Sequence, residues 1–142
     1  MVVQIHIKST TGMLPTKATS GSAGYDLSAT EEVLIRPGER ALVGTGIYLS
    51  MPSDFEAQIR SRSGLAAKQG IVVLNSPGTI DSDYRSEVKV ILYNSGKDEF
   101  KVEKRMRIAQ MVFAKLAECT LCEVLDDLDS TDRKGGFGST GI

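Results

Sequence analysis

The sequence has no tryptophan and a single histidine, His6, and its only cysteines are Cys119 and Cys122. One C-x-x-C pair and one distant histidine fall short of the four ligands a structural zinc site usually takes, so no zinc and two ordinary semi-buried thiols are expected. A surplus of one charge is also missing. The 17 basic and 18 acidic residues leave a net charge of −1, which gives no global field to recruit a nucleic-acid backbone or an anionic membrane. No apolar run reaches the 18 residues of a membrane span, and residues 1–8 alternate and carry His6 and Lys8 instead of a continuous apolar leader. A cytoplasmic protein is the expectation. At 142 residues and 41% hydrophobic, the chain is long enough for one core and too short for two domains.

What is present is a rhythm of short β-like runs, at residues 2–8, 33–36, 41–51, 55–62, 71–75 and 87–93. Pro37-Gly38, Met51-Pro52 and Pro77-Gly78 punctuate them as tight reversals. This pattern predicts an all-β sandwich or barrel. Residues 63–69, rich in Leu, Ala and Lys and followed by Gly70, predict one short helix with a glycine stop. Residues 106–116 read either as helix, from Met, Ala, Gln, Lys and Leu, or as a buried strand, from Ile108, Val112 and Phe113. Residues 126–134 are mostly charged and 135–142 hold four of the fourteen glycines. The division expected is therefore a β domain over 1–125 and a flexible arm over 126–142.

Three segments carry candidate chemistry. Arg62-Ser63-Gly64 stands where a strand pattern passes into the helix, so amides, a hydroxyl and a guanidinium can face an anion; a solvated turn is the alternative. Asp81-Ser82-Asp83-Tyr84 places two carboxylates and an aromatic ring on a turn between apolar strands. One of them is a candidate general base, which must reach a water by hydrogen bond, although Asp and Ser also simply make turns. In the tail, Arg133, Phe137, Ser139 and Thr140 on a glycine-rich backbone suit a clamp for a phosphorylated base or, equally, a solubilising end.

Taken in order, five motifs stand out: Ala23-Gly24-Tyr25-Asp26-Leu27, Arg62-Ser63-Gly64-Leu65-Ala66, Gly78-Thr79-Ile80-Asp81-Ser82-Asp83-Tyr84-Arg85, Arg107-Ile108-Ala109-Gln110, and Gly135-Gly136-Phe137-Gly138-Ser139-Thr140-Gly141. On these the sequence resembles the trimeric dUTP pyrophosphatases over essentially its whole length. The resemblance implies a jelly roll whose three copies share three active sites, with residues 106–116 as strand and the arm closing over a neighbour's site. It implies hydrolysis of dUTP to dUMP and pyrophosphate with Mg²⁺, which limits uracil incorporation into DNA and supplies dUMP for thymidylate synthesis. Asp81 is implied as the base that activates water, and Asp26 as reaching the metal through water, the metal otherwise resting on substrate phosphates. Arg62, Ser63, Gly64 and Gln110 match phosphate-contacting positions, and Arg133, Gly138, Ser139 and Thr140 join the outer phosphates when the arm closes, with Phe137 stacking on the base. Asn75, Thr79, Ile80 and the Asp81 backbone match the hairpin that reads uracil. Tyr84 matches the residue that packs on deoxyribose, with Lys89 near the same pocket.

The sequence departs from the family pattern in three places. Ser86 stands where glycine usually follows Tyr-Arg, Lys104-Arg105 replaces Pro-Gly, and Arg133 lies one residue closer to its glycines. A serine forced to positive φ at position 86 is expected to cost about 1 kcal/mol. Three rival readings are deamination of dCTP using Glu87 or Glu103, a catalytically idle nucleotide-dependent regulator, and a ligand-free β-sandwich module. The last two leave, respectively, Asp81 and the five ordered motifs without a purpose.

Overall fold

The computed structural model describes residues 2–138 and 141. Among the described residues the chain forms ten strands and one helix. One antiparallel sheet is ordered β1 (His6–Ser9), β4 (Arg40–Ser50), β8 (Val88–Asn94), β6 (Ile71–Val73). A second is ordered β2 (Tyr25–Ser28), β10 (Arg107–Lys115), β5 (Phe55–Arg60), β7 (Gly78–Ile80), and β3 (Val33–Ile35) pairs with β9 (Phe100–Val102). Non-consecutive neighbours throughout mark the crossovers of a jelly roll.

The core follows from period-two alternation. Val88, Val90 and Leu92 of β8 point inward while Lys89 is exposed, and they share one cluster with Leu27, Ile59, Ile108 and Met111 of the other sheet. Each such side chain, removed from water, contributes about 1.5–3 kcal/mol. The polar exception is Asn94, fully buried at the end of β8. Its Nδ2 donates to Ile35 O at 2.9 Å and Asp98 O at 2.8 Å, and its Oδ1 accepts from Gly96 N at 2.9 Å. It thereby ties the β3–β9 ribbon to the sheet.

Helix α1 (Ser63–Gln69) occupies the stretch the sequence indicates, and Gly70 ends it in the left-handed conformation at φ 68°. Glycine is required there, because an added Cβ would lie 2.8 Å from both Gly96 N and Ser95 Oγ. Residues 106–116 resolve as strand β10, since they lie between β2 and β5 with both ladders filled. Other boundaries differ from the sequence reading. The first strand begins at His6, four residues later than the alternation suggests, because its partner β4 ends at Ser50 opposite His6. Strands β2, β7 and β9, of three or four residues each, carry no pattern long enough to read, and Gly78 opens a strand although it follows a turn proline.

Two further corrections concern single residues. Ser86 is not among the positive-φ residues; the strain falls on Arg105, at φ 72°. There Met106 N donates to Glu103 O at 3.0 Å and Arg105 N to Ala29 O at 2.8 Å, so Arg105 occupies the left-handed position of a turn pinned to β2. Cys119 and Cys122 are both exposed free thiols, not semi-buried, because the chain leaves the sheets after Lys115. Among the described residues no helix is long and apolar enough to cross a membrane.

Candidate active site

Motifs one, two and four meet at one end of the second sheet. Because β10 lies between β2 and β5, Gln110 stands opposite both Asp26 and Arg60. Its Nε2 donates to Ser61 O at 3.0 Å, and its side chain covers Gly24 so closely that any Cβ there would collide with it. The glycine of motif one is thus required by the glutamine of motif four.

Beyond Arg60 the chain leaves the sheet and Arg62 turns back across it. Arg62 Nε lies 3.4 Å from Asp26 Oδ1, and its Nη1 donates to Arg107 O at 3.3 Å. Arg107 Nη1 lies 3.6 Å from Asp26 Oδ2. One carboxylate, 17% exposed, therefore faces two guanidinium groups, which leaves an excess of positive charge at this point. Ser63 and Gly64 are exposed beside it, and their amides precede the first intrahelical bond, from Ala66 N to Arg62 O. A Cβ on Gly64 would meet nothing within 4 Å, so packing does not demand a glycine there; open backbone does suit close approach by an anion.

Motif three lies at the other end of the same sheet. Ile80 stands opposite Ala57 on β5, so Asp81 falls one position further from Arg62. The four positions from Glu56, level with Asp81, to Arg60, where β5 leaves the sheet, span about 13 Å at roughly 3.3 Å each. The segment between β7 and β8 is braced by its own bonds. Tyr84 N donates to Asp81 O at 3.1 Å, Tyr84 Oη to Glu87 O at 2.7 Å, and Arg85 Nη1 to Ser82 O at 2.6 Å. Asp81 is left exposed, and its carboxylate makes no hydrogen bond or ion pair among the described residues. Asn75, Thr79, Tyr84 and Lys89 are exposed on or beside this segment, whereas the Ile80 side chain is committed to the core, so only its main chain can meet a ligand.

The arm stands apart from both clusters. Leu121, Leu125, Leu128 and Phe137 are almost wholly exposed, and Arg133 Nε donates to Gly135 O at 2.6 Å within the arm itself. Gly138 is exposed at φ 77°; Ser139 and Thr140 lie outside the described residues. Two residues without an assigned role emerge here. Arg107 faces Asp26, but the ladder shifts register between Arg107 and Ala109, so alternation gives no signal for it. Glu87 accepts from Gly46 N through Oε2 at 3.0 Å, a contact 41 residues apart in sequence.

Among the described residues no group of three His, Cys, Asp or Glu is placed to cage a metal. The only carboxylate in the arginine cluster is Asp26. This donor set fits a hard cation carried mainly by phosphate oxygens and water, with Asp26 as a single protein oxygen ligand or water acceptor.

A jelly roll with an arginine-rich cluster at one sheet end and an exposed carboxylate on the loop after β7 at the other defines a class of sandwich protein with candidate anion-binding and acid–base groups set apart. Comparison makes the class specific: the chain belongs to the dUTPase family, whose model matches residues 10–141. It is 54% identical over 144 residues to the deoxyuridine 5'-triphosphate nucleotidohydrolase of Orientia tsutsugamushi (strain Boryong), covering 99% of this chain and 97% of that protein. It is 56% identical over 131 residues to the enzyme of the same name from Clostridium acetobutylicum, covering 92% and 90%. Among solved structures, a mutant dUTPase of Staphylococcus bacteriophage 80alpha with dUpNHpp superposes with a TM-score of 0.88 at 24% identity, covering 98% of this chain and 99% of that one.

Proposed function

We propose that this member of the dUTPase family hydrolyses dUTP to dUMP and pyrophosphate in sites shared between the copies of a homotrimer. The observation that carries the reading is the division of the motifs. Asp81 lies about 13 Å along the sheet from the strand end beside which Arg62 sits, a separation that favours a second copy bringing the missing group. A closed cyclic assembly makes each such pairing equivalent.

Within such a site Arg62, Gln110 and the Ser63 and Gly64 amides hold the phosphates, and Arg107 adds a further cation. The Asp81 carboxylate accepts a proton from water as the water oxygen attacks the α-phosphorus, and pyrophosphate leaves in line. Its freedom from other partners keeps it available to that water. Mg²⁺ would rest on substrate phosphates with Asp26 reaching it directly or through water, supplying charge neutralisation. The hairpin from Asn75 through Asp81 reads uracil with fixed main-chain groups, which leaves cytosine with unpaired buried groups. Tyr84 packs on deoxyribose beside Lys89.

Arg133, Phe137, Gly138, Ser139 and Thr140 belong to the arm over 126–142, which closes on the site of a neighbour and excludes bulk water. In the cell this reaction, placed in the cytoplasm, would limit uracil incorporation into DNA and supply dUMP for thymidylate synthesis. The test is pyrophosphate release from dUTP, dCTP, dTTP and UTP with Mg²⁺, run beside Asp81→Asn and with ammonia monitored for dCTP. Release confined to dUTP and abolished by the substitution is expected. Ammonia from dCTP would move the assignment to deamination.

A further inference from the structure

We infer that Glu87 is a positioning residue for sugar selection, acting through Tyr84; the inference rests on the proposed placement of Tyr84 against deoxyribose. The evidence is a double attachment. The main-chain oxygen of Glu87 accepts the Tyr84 phenol at 2.7 Å, which sets the direction of the ring. Its side-chain Oε2 accepts Gly46 N at 3.0 Å, which fixes Glu87 to strand β4.

The receiving backbone is built for that carboxylate. The β4–β8 ladder pairs Gly44 with Lys89 and then Ile47 with Val88, so Thr45 and Gly46 are bulged out and their amides leave the regular ladder. Gly46 adopts φ 69°, a left-handed conformation that turns its N–H toward Glu87. Gly44 leaves space for the carboxylate, because a Cβ there would lie 2.6 Å from Glu87 Oε2. Thr45 Oγ1 donates to Val88 O on the other side of the bulge. Glu87 therefore links central strand β4 to the one side chain of this loop placed against the sugar in the proposed site. This attachment also uses the carboxylate that a deamination reading would need free.

The experiment measures kcat and KM for dUTP and UTP in the full-length enzyme and in Glu87→Ala, Glu87→Gln, Gly44→Ala and Tyr84→Ala, with thermal unfolding of each. Glutamine retains an oxygen acceptor for Gly46 N and should keep the native ratio. Alanine at 87 should raise the relative kcat/KM for UTP by about tenfold or more, and Gly44→Ala, which displaces the carboxylate without removing it, should move the ratio the same way. A Glu87→Ala enzyme that loses activity equally on both substrates would make Glu87 a purely structural brace and overturn the inference. If Tyr84→Ala leaves the ratio unchanged, the sugar-contact reading of Tyr84 itself fails, and that outcome is separable because it does not involve position 87.

Discussion

Mixing two inactive variants tests the divided site directly. Asp81→Asn removes the base and leaves the arginine cluster intact. Arg62→Ala removes a phosphate ligand at the opposite end of the sheet and leaves the hairpin intact, and Asp26 keeps Arg107 as an ion-pair partner. On the proposed reading, with the two sheet ends of one chain about 13 Å apart, every site takes Asp81 from one copy and Arg62 from another. Subunits of the two variants, unfolded together in equal amounts and refolded, assemble at random. Half of the Asp81 positions and half of the Arg62 positions are then intact, so about a quarter of the sites in a cyclic trimer carry both. Pyrophosphate release from dUTP should accordingly recover to about a quarter of the native rate, while each parent refolded alone stays near zero. Native mass spectrometry of the mixture verifies that mixed trimers have formed. Mixed trimers whose turnover does not rise above that of the parents would refute the reasoning and require each chain to hold a whole site.

Arg105→Gly should raise stability by about 1 kcal/mol, since glycine takes φ near 72° without the strain of a side chain, whereas Ser86→Gly should lower it by about 0.5–1 kcal/mol; urea midpoints of the two variants decide between the positions. Asn94→Ala strips three hydrogen bonds from a wholly buried hub and should cost about 3 kcal/mol or more, visible as a fall in Tm of roughly 6–12 °C. Truncation after Asp132 removes residues whose described bonds stay within the arm, so Tm should hold within about 1 °C while turnover falls about a hundredfold or more. Unchanged turnover would remove the arm from the mechanism.

How much of the fold could be read depended on whether a residue's conformation was set locally. Helix α1 was legible because Gly70 supplies the stop within the segment itself. Strands β4, β5 and β8 were legible because each is six residues or longer and alternates or runs apolar. Strands β2 and β7 exist because a longer neighbour offers them a ladder, and β9 because the equally short β3 does, so none of the three reveals its partner by its own pattern. The segment now seen as β10 was ambiguous for a related reason. Its composition suits either conformation, and what decides it is the pair of strands on its two sides. The positive-φ residue was misplaced because a departure from a family pattern marks where a glycine is missing without saying whether the backbone still needs one. At Ser86 it does not, while at Arg105 the turn pinned by Ala29 O and Glu103 O does.

The site was legible in a different sense. Motif order named candidates for its members, but order along a chain carries no information on which of them converge. Asp26, Arg62 and Gln110 span 85 positions and meet because β10 inserts between β2 and β5. Arg62 and Asp81, separated by only 19 positions, lie toward opposite ends of one sheet because β7 runs antiparallel to β5 and ends at Ile80 opposite Ala57, while Arg62 follows the other end of β5. Arg62, Ser63 and Gly64 follow the end of β5 beside open backbone, and Asp81 lies on the loop after β7 that is braced by Tyr84, Arg85 and Glu87. On the proposed reading each half is braced by itself and completed by a second copy. A site built this way ties catalysis to assembly, so dilution below the concentration that holds the copies together should extinguish turnover before it unfolds the chain.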